Sequence, residues 1–80
     1  MAEKAIKKEL LALSKKLEHN SISLDDAEAI ILEAMDATED NTLHGILMEA
    51  VAINQPSAKE LKYYTPQDFI DSIRTHYKKN

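Results

Sequence analysis

A single glycine, Gly45, in 80 residues is the feature that most restricts what this chain can fold into. Loops that cradle phosphate groups need several glycines, and the turns of all-β folds use glycine repeatedly. No segment alternates apolar and polar positions with the Val, Thr and aromatic content that strands favour. The apolar fraction of 44% suits a folded protein. We therefore expect an all-α fold in a single helical domain spanning 1–80.

Apolar residues recur at helical spacing and predict a compact bundle of four longer helices and one short one-turn helix. In the first helix, Ile6, Leu10, Leu13 and Leu17 fall on one face, with lysines over much of the remaining surface. The predicted helices span 2–18, 24–37, 42–54, 57–63 and 66–78.

Local signals mark several helix ends. Ser23 is a good N-cap, with Asp26 placed to return the hydrogen bond. The segment 57–60 matches a second capping box, and the segment 65–68 combines an N-cap Thr, a Pro at the first helical position and an acid at the third. Asn20 suits the left-handed conformation that ends a helix.

Gly45 lies inside the predicted third helix, where a glycine costs about 1 kcal/mol relative to alanine. Such a residue is predicted to mark a close approach between two helices. Pro56 ends the pattern, because the residue before a proline is pushed out of helical geometry.

The sequence contains no cysteine and no apolar run near the ~20 residues that a membrane span needs. The N-terminal residues lack the apolar core of a signal peptide. We therefore expect a cytoplasmic protein that does not associate with membranes.

Charge is distributed unevenly along the chain. Residues 17–58 contain nine acids and neither Lys nor Arg, whereas residues 1–16 carry a net charge of +3 and residues 59–80 one of +2. Two interpretations remain open: the basic end helices complement the acidic middle within the chain, or the acidic middle docks a basic partner. Nucleic acid is not expected as a partner, because phosphate binding needs clustered Lys and Arg.

No constellation of residues predicts chemistry. His19, His44 and His76 form no ligand pair at helical spacing. The Asp and Thr residues at positions 36, 38, 40 and 42 alternate like the first positions of a calcium loop, but Asn41 replaces the turn glycine and Leu47 the bidentate Glu. No nucleophile has a partner base in the sequence pattern. We expect no enzyme activity, no cofactor and no metal.

Tyr63 and Tyr64 are adjacent on the predicted one-turn helix, so both side chains cannot point into the core. Large rigid aromatics are enriched at binding hot spots. An exposed tyrosine here is either a partner contact or a cover for the edge of the core, and the sequence leaves both open.

The segment 56–64, Pro-Ser-Ala-Lys-Glu-Leu-Lys-Tyr-Tyr, resembles the short third helix of the nuclease colicin and pyocin immunity proteins. The order of elements over residues 21–79 is also similar to that family. The resemblance implies a small, acidic, bacterial inhibitor that binds a cognate bacteriocin nuclease domain beside its active site. It also implies that Tyr63 and Tyr64 anchor the partner, that Glu60 supplies the neighbouring acid, and that Glu49 contributes specificity.

The acids concentrate on the second helix and the turn after it. We expect Asp36, Glu39 and Asp40 to lie beside the tyrosine pair on one docking face. The alternative function, of a different class, is that of a homo-oligomeric regulatory or structural protein that assembles through its N-terminal helix. For the oligomeric state, we expect a monomer or a weak homodimer.

Overall fold

Five α-helices and one 3-10 helix account for most of the chain. The computed structural model describes residues 3–78, with the side chain of Lys59 excepted. The helices are α1 Glu3–Glu18, α2 Leu24–Ala37, α3 Asn41–Ala50, the 3-10 helix Val51–Asn54, α4 Pro56–Leu61 and α5 Pro66–Lys78. Residues 3–78 contain no strand. The predicted all-α bundle is confirmed, and α2 and α5 have the predicted bounds; position 2, the predicted start of the first helix, lies outside the described residues.

Two predicted spans differ from the structure. The third helix was predicted to reach residue 54, but its last four residues form a 3-10 helix. Pro56 holds Gln55 in an extended conformation, so the helix ends before it. The tighter 3-10 turn allows the last carbonyl groups to accept hydrogen bonds within the helix. The fourth helix ends at Leu61 and not at residue 63, because Lys62 adopts a left-handed conformation with φ 57°.

The predicted N-cap of α2 and the reciprocal cap of α5 are confirmed, whereas the Asp26 carboxylate does not return the predicted hydrogen bond to Ser23. Ser23 Oγ accepts a hydrogen bond from the Asp26 amide at 3.1 Å. At α5, Asp68 Oδ2 accepts from the Thr65 amide at 2.9 Å, and the Asp68 amide donates to Thr65 Oγ1 at 3.3 Å. Asn20, after α1, has the predicted left-handed conformation, with φ 54°.

The predicted capping box at Ser57 is wrong. Pro56 is the first residue of α4 and Gln55 is its N-cap, which makes no side-chain capping bond. Proline has no N–H, so this helix begins with one fewer donor to satisfy. Ser57 Oγ instead lies 3.3 Å from Tyr63 Oη.

The core lies between α1, α2, α3 and α5. Helix α1 packs against α5 and α2, and α2 packs against α3 and the 3-10 helix. The most buried side chains include Phe69 from α5 and Ile31 from α2. The predicted apolar face of α1, Ile6 to Leu17, belongs to this core and is at most 6% exposed.

Helices α2 and α3 form an antiparallel hairpin, which gives the molecule two distinct ends. One end, the turn end, holds the connection at 38–40, and His76 near the end of α5 contacts Asp40 there. At the other, the tyrosine end, Leu24 and Tyr64 line one concavity. The 14 residues of α2 separate the two ends by about 21 Å.

Gly45 makes no close helix contact, which corrects the prediction made for it. A Cβ built on this residue would meet nothing within 4 Å. We therefore expect Gly45→Ala to raise the free energy of unfolding by about 1 kcal/mol, because alanine loses less backbone entropy on forming a helix. Urea denaturation followed by circular dichroism measures the change. The exposed Ala29 of α2 offers the matched control, since Ala29→Gly should lower stability by a similar amount; a destabilised Gly45→Ala would contradict the open surroundings.

Candidate functional site

Tyr63 and Tyr64 point in opposite directions. Lys62 is in the left-handed conformation, with φ 57°, and so reverses the chain directly after α4. Tyr63 is 58% exposed, whereas Tyr64 is only 5% exposed. A non-glycine residue adopts this conformation at some energetic cost, so the surrounding packing must stabilise the reversal.

The exposed side of this reversal is apolar. Leu61 is 71% exposed and Tyr63 is 58% exposed, which makes them the two most exposed large apolar side chains of the described residues. The contact between Tyr63 Oη and Ser57 Oγ, at 3.3 Å, joins the tyrosine to the first turn of α4. We call Leu61 and Tyr63 the tyrosine edge.

Tyr64 belongs to the core. Its ring lines a concavity of about 360 Å³ together with Leu24, Ile53, Ala58 and Pro66. Its hydroxyl is buried and has no hydrogen-bond partner among the described residues. Burial raises the pKa of this phenol well above its usual value, and the nearby carboxylates of Glu49 and Asp68 raise it further, so Tyr64 stays neutral. This placement corrects the prediction that the Tyr64 side chain contacts a partner.

Two of the predicted acids lie at the tyrosine end. Glu60 is exposed on α4, one residue before Leu61. Glu49 is exposed near the end of α3, and its charge acts on the Tyr64 hydroxyl. The structure therefore brings Glu49, Glu60 and Tyr63 to the same end of the molecule.

The other three predicted acids lie elsewhere. Asp36 is exposed in the last turn of α2, and Glu39 and Asp40 follow in the connection to α3. Because α2 runs away from the tyrosine end, these acids occupy the turn end, about 20 Å from the tyrosine end. The expectation that they lie beside the tyrosines is wrong.

Asp40 has a structural role at the turn end. Its Oδ1 accepts hydrogen bonds from the amides of Thr42 at 2.9 Å and Leu43 at 3.1 Å, so it is the N-cap of α3. Its Oδ2 lies 3.4 Å from His76 Nε2, which joins the cap to the last turn of α5.

Glu3 joins the start of α1 to the connection at 38–40 by two hydrogen bonds. Its Oε1 accepts from the Thr38 hydroxyl at 2.6 Å, and its Oε2 accepts from the Glu39 amide at 3.0 Å. The hydrogen bond from Thr38, and then that from Glu39, lowers the pKa of Glu3 below its ordinary value of 4.5.

A carboxyl group whose pKa is lower in the folded than in the unfolded state stabilises the fold. That stabilisation is fully present above the pKa of the unfolded state and is lost as the pH falls through the pKa of the folded state. We therefore expect Glu3→Gln to lower the Tm at pH 6, with the difference from the wild type shrinking as the pH falls below 4.5 and the native carboxyl is protonated. Thermal unfolding from pH 3 to 7 measures this, with Glu33→Gln as the control, since Glu33 is exposed on α2. A Tm difference that stays constant over the whole pH range would contradict the role of the carboxylate.

The other concavities hold no assembled chemistry. A shallow groove of about 400 Å³ between α3 and α5 is lined by Thr42, Ile46, Asp71, Ser72, Thr75 and His76. No bond joins the Ser72 hydroxyl to a base within residues 3–78. No three His, Asp or Glu side chains of the described residues are grouped so that they could hold a metal ion. Within the same residues, no helix is both long and apolar enough to cross a membrane.

The fold and the site together define a small all-α protein with an exposed apolar edge at Leu61 and Tyr63. No family model matches the sequence, and neither the curated proteins nor the solved structures include a significant match. The resemblance of segment 56–64 to the immunity proteins therefore stays a prediction.

Sequence reasoning missed Leu61 as a surface residue. The motif around the tyrosines includes Leu61 but does not indicate its exposure. The available signal was the length of α4: six residues cannot bury a full apolar face, and Ala58 is the residue of this helix that enters the core.

Proposed function

We propose that this chain is a non-enzymatic protein-binding module of the immunity type, which inhibits a basic nuclease toxin domain by docking on it through the tyrosine edge. The observation that carries the proposal is the exposure of Leu61 and Tyr63, 71% and 58%. Tyr63 Oη lies 3.3 Å from Ser57 Oγ, and Ser57 is one helical turn before Leu61 on the same face of α4. Single exposed apolar residues are common on protein surfaces, but two large neighbouring side chains favour a binding site.

The tyrosine edge has the properties of a binding anchor. Tyrosine offers a large rigid surface with few rotatable bonds, and it is enriched among residues that dominate binding energy. The Ser57 hydroxyl near Tyr63 Oη restricts the ring before any partner arrives, which reduces the entropy lost on binding.

The surrounding charge favours a basic partner. Glu60 and Glu49 are exposed at the tyrosine end, and the adjoining segment 17–58 contains no Lys or Arg, although Lys62 is exposed between Leu61 and Tyr63. Carboxylates around an apolar anchor steer a cationic surface toward it and reject acidic partners. A nuclease domain that binds phosphate carries such a cationic surface.

The alternative of a homo-oligomer joined through α1 has no exposed surface to support it. The apolar face on which it depended, Ile6 to Leu17, is buried against α5 and α2 of the same chain. What remains on the surface of α1 is mainly lysine, and like charges on two such helices would repel each other.

Nuclease inhibition tests the proposal. The immobilised chain would be used to capture partners from lysate of the source cells, with a Leu61→Ala/Tyr63→Ala double variant as the matched control. The nuclease domain of any protein captured by the wild type alone would then be purified. We expect stoichiometric addition of the wild-type chain to stop its cleavage of DNA or RNA, and the double variant to do so only at much higher concentration. A specifically captured partner without nuclease activity would refute the immunity-type assignment.

A further inference from the structure

A second exposed apolar surface lies on the α2–α3 hairpin. Leu32 on α2 is 44% exposed and Met48 on α3 is 56% exposed. The short connection at 38–40 and the 2.6 Å hydrogen bond from Asn54 Nδ2 to Asp25 Oδ1 fix the register of the two antiparallel helices. In that register, Leu32 and Met48 stand at the same level, about halfway along the hairpin.

Both residues also lie on the facing flanks of their helices. On α2, Glu28 approaches Asn54 Nδ2 at 3.5 Å, and Leu32 follows Glu28 by one helical turn on the same side. On α3, Ile46 lines the groove shared with α5. Met48 is two residues further, about 200° around the helix, on the flank away from α5. Because α3 packs between α2 and α5, this exposed flank lies on the α2 side. Leu32 and Met48 therefore form one apolar strip along the outer side of the hairpin, which we call the hairpin strip.

Carboxylates stand at both ends of the hairpin strip. Asp25 and Glu28 lie toward the tyrosine end, and Asp36 lies toward the turn end, one turn beyond Leu32. Residues 17–58, which include both helices of the hairpin, contain no Lys or Arg. The strip is thus an apolar centre between two anionic ends.

We propose that the hairpin strip is a second docking surface, which takes a cationic amphipathic helix of a partner protein. Apolar side chains of that helix would pack between Leu32 and Met48, and its Lys or Arg residues would meet the carboxylates at either end. Methionine suits such a surface, because its flexible thioether adapts to differently shaped side chains.

Other occupants fit less well. A second copy of the hairpin would place acids against acids, which is unfavourable without a bridging cation. The lysine-rich helix of this chain, α1, already buries its apolar face in the core and cannot offer it to another copy. The charge of the strip therefore favours a basic helix from a different protein.

The hairpin strip is separate from the tyrosine edge, on which the proposed function depends. The tyrosine edge lies on α4 and the residue after its cap, whereas the hairpin strip lies midway along α2 and α3. Loss of one surface by mutation should leave the other intact.

A synthetic probe tests the inference without knowledge of the natural partner. The probe is a fluorescein-labelled amphipathic peptide of about 18 residues with Leu on one helical face and Lys on the other. A peptide of the same composition in scrambled order and a Glu-Leu amphipathic peptide serve as controls. Fluorescence anisotropy gives the affinities, and NMR shifts of the Leu and Met methyl groups locate the contact.

We expect the Lys-Leu helix to bind with shifts at Leu32 and Met48, and neither control peptide to do so at the same concentration. The Leu32→Ala/Met48→Ala variant should weaken binding by about tenfold or more, while Leu61→Ala leaves it unchanged. Circular dichroism checks that both variants remain folded. Equal binding of the scrambled peptide, shifts confined to other surfaces, or no binding of the amphipathic helix would each overturn the proposal.

Discussion

Replacement of Tyr64 by alanine is expected to lower the free energy of unfolding by about 3–5 kcal/mol, the usual cost of truncating a buried aromatic residue. The ring is 5% exposed and contacts the core at the tyrosine end. A chain of this length has a total stability of roughly 4–12 kcal/mol, so the variant should be partly unfolded at 37 °C. Urea denaturation measures the loss.

The adjacent tyrosine provides the matched control. Tyr63→Ala removes an equal number of atoms from a side chain that is 58% exposed, and we expect it to change stability by no more than about 0.5 kcal/mol. Equal losses for the two variants would contradict the opposite orientations that the left-handed Lys62 imposes.

The substitution Tyr64→Phe tests the contribution of the Tyr64 hydroxyl group separately. This hydroxyl is buried without a hydrogen-bond partner among the described residues, so it loses its hydration on folding and regains nothing. Tyr64→Phe should therefore be neutral or stabilising by up to about 1 kcal/mol. A clear loss of stability in Tyr64→Phe would show that the hydroxyl is satisfied in solution.

Helix ends could be predicted where a side chain supplied the cap. Thr65, Pro66 and Asp68 fix the start of α5 by local bonds alone, and the sequence signal was sufficient. The end of α4 was missed because the left-handed position there is Lys62, a residue type that seldom adopts this conformation. Tertiary packing determines whether a lysine adopts this conformation, and the sequence pattern does not show that packing.

The candidate site was predicted in part. The prediction that both adjacent tyrosines cannot point into the core is confirmed, but which one is exposed depends on the reversal at Lys62. The placement of Asp36 and Asp40 beside the tyrosines failed for a reason available in the sequence. The second helix has 14 residues, and a helix of that length carries its end to the opposite side of a small bundle.

The largest functional effect is expected at the tyrosine edge. Tyr63→Ala should weaken partner binding by about 30-fold or more, as a buried hot-spot tyrosine does, and Leu61→Ala should add to the loss. The effect should appear mainly in the dissociation rate, because apolar anchors hold a complex after encounter. Surface plasmon resonance with the captured partner separates the two rates.

The carboxylates near the tyrosine edge should affect binding differently from its apolar side chains. Glu60→Gln and Glu49→Gln remove carboxylates beside the anchor without removing apolar surface. We expect a slower association rate and a weaker dependence on salt, with little change in dissociation. Met48→Ala, on the hairpin strip, is the matched control and should leave both rates unchanged; a loss there equal to that of Tyr63→Ala would place the principal contact on the hairpin.

The most direct measurement is the dissociation constant between the purified partner domain and either wild-type chain or Tyr63→Ala, by isothermal titration calorimetry. Both proteins should show the same thermal unfolding midpoint within about 2 °C, which excludes loss of fold as the cause. We predict tight one-to-one binding by the wild type and a dissociation constant about 30-fold higher or more for the variant. An unchanged dissociation constant for Tyr63→Ala would contradict the claim that this edge is the docking site.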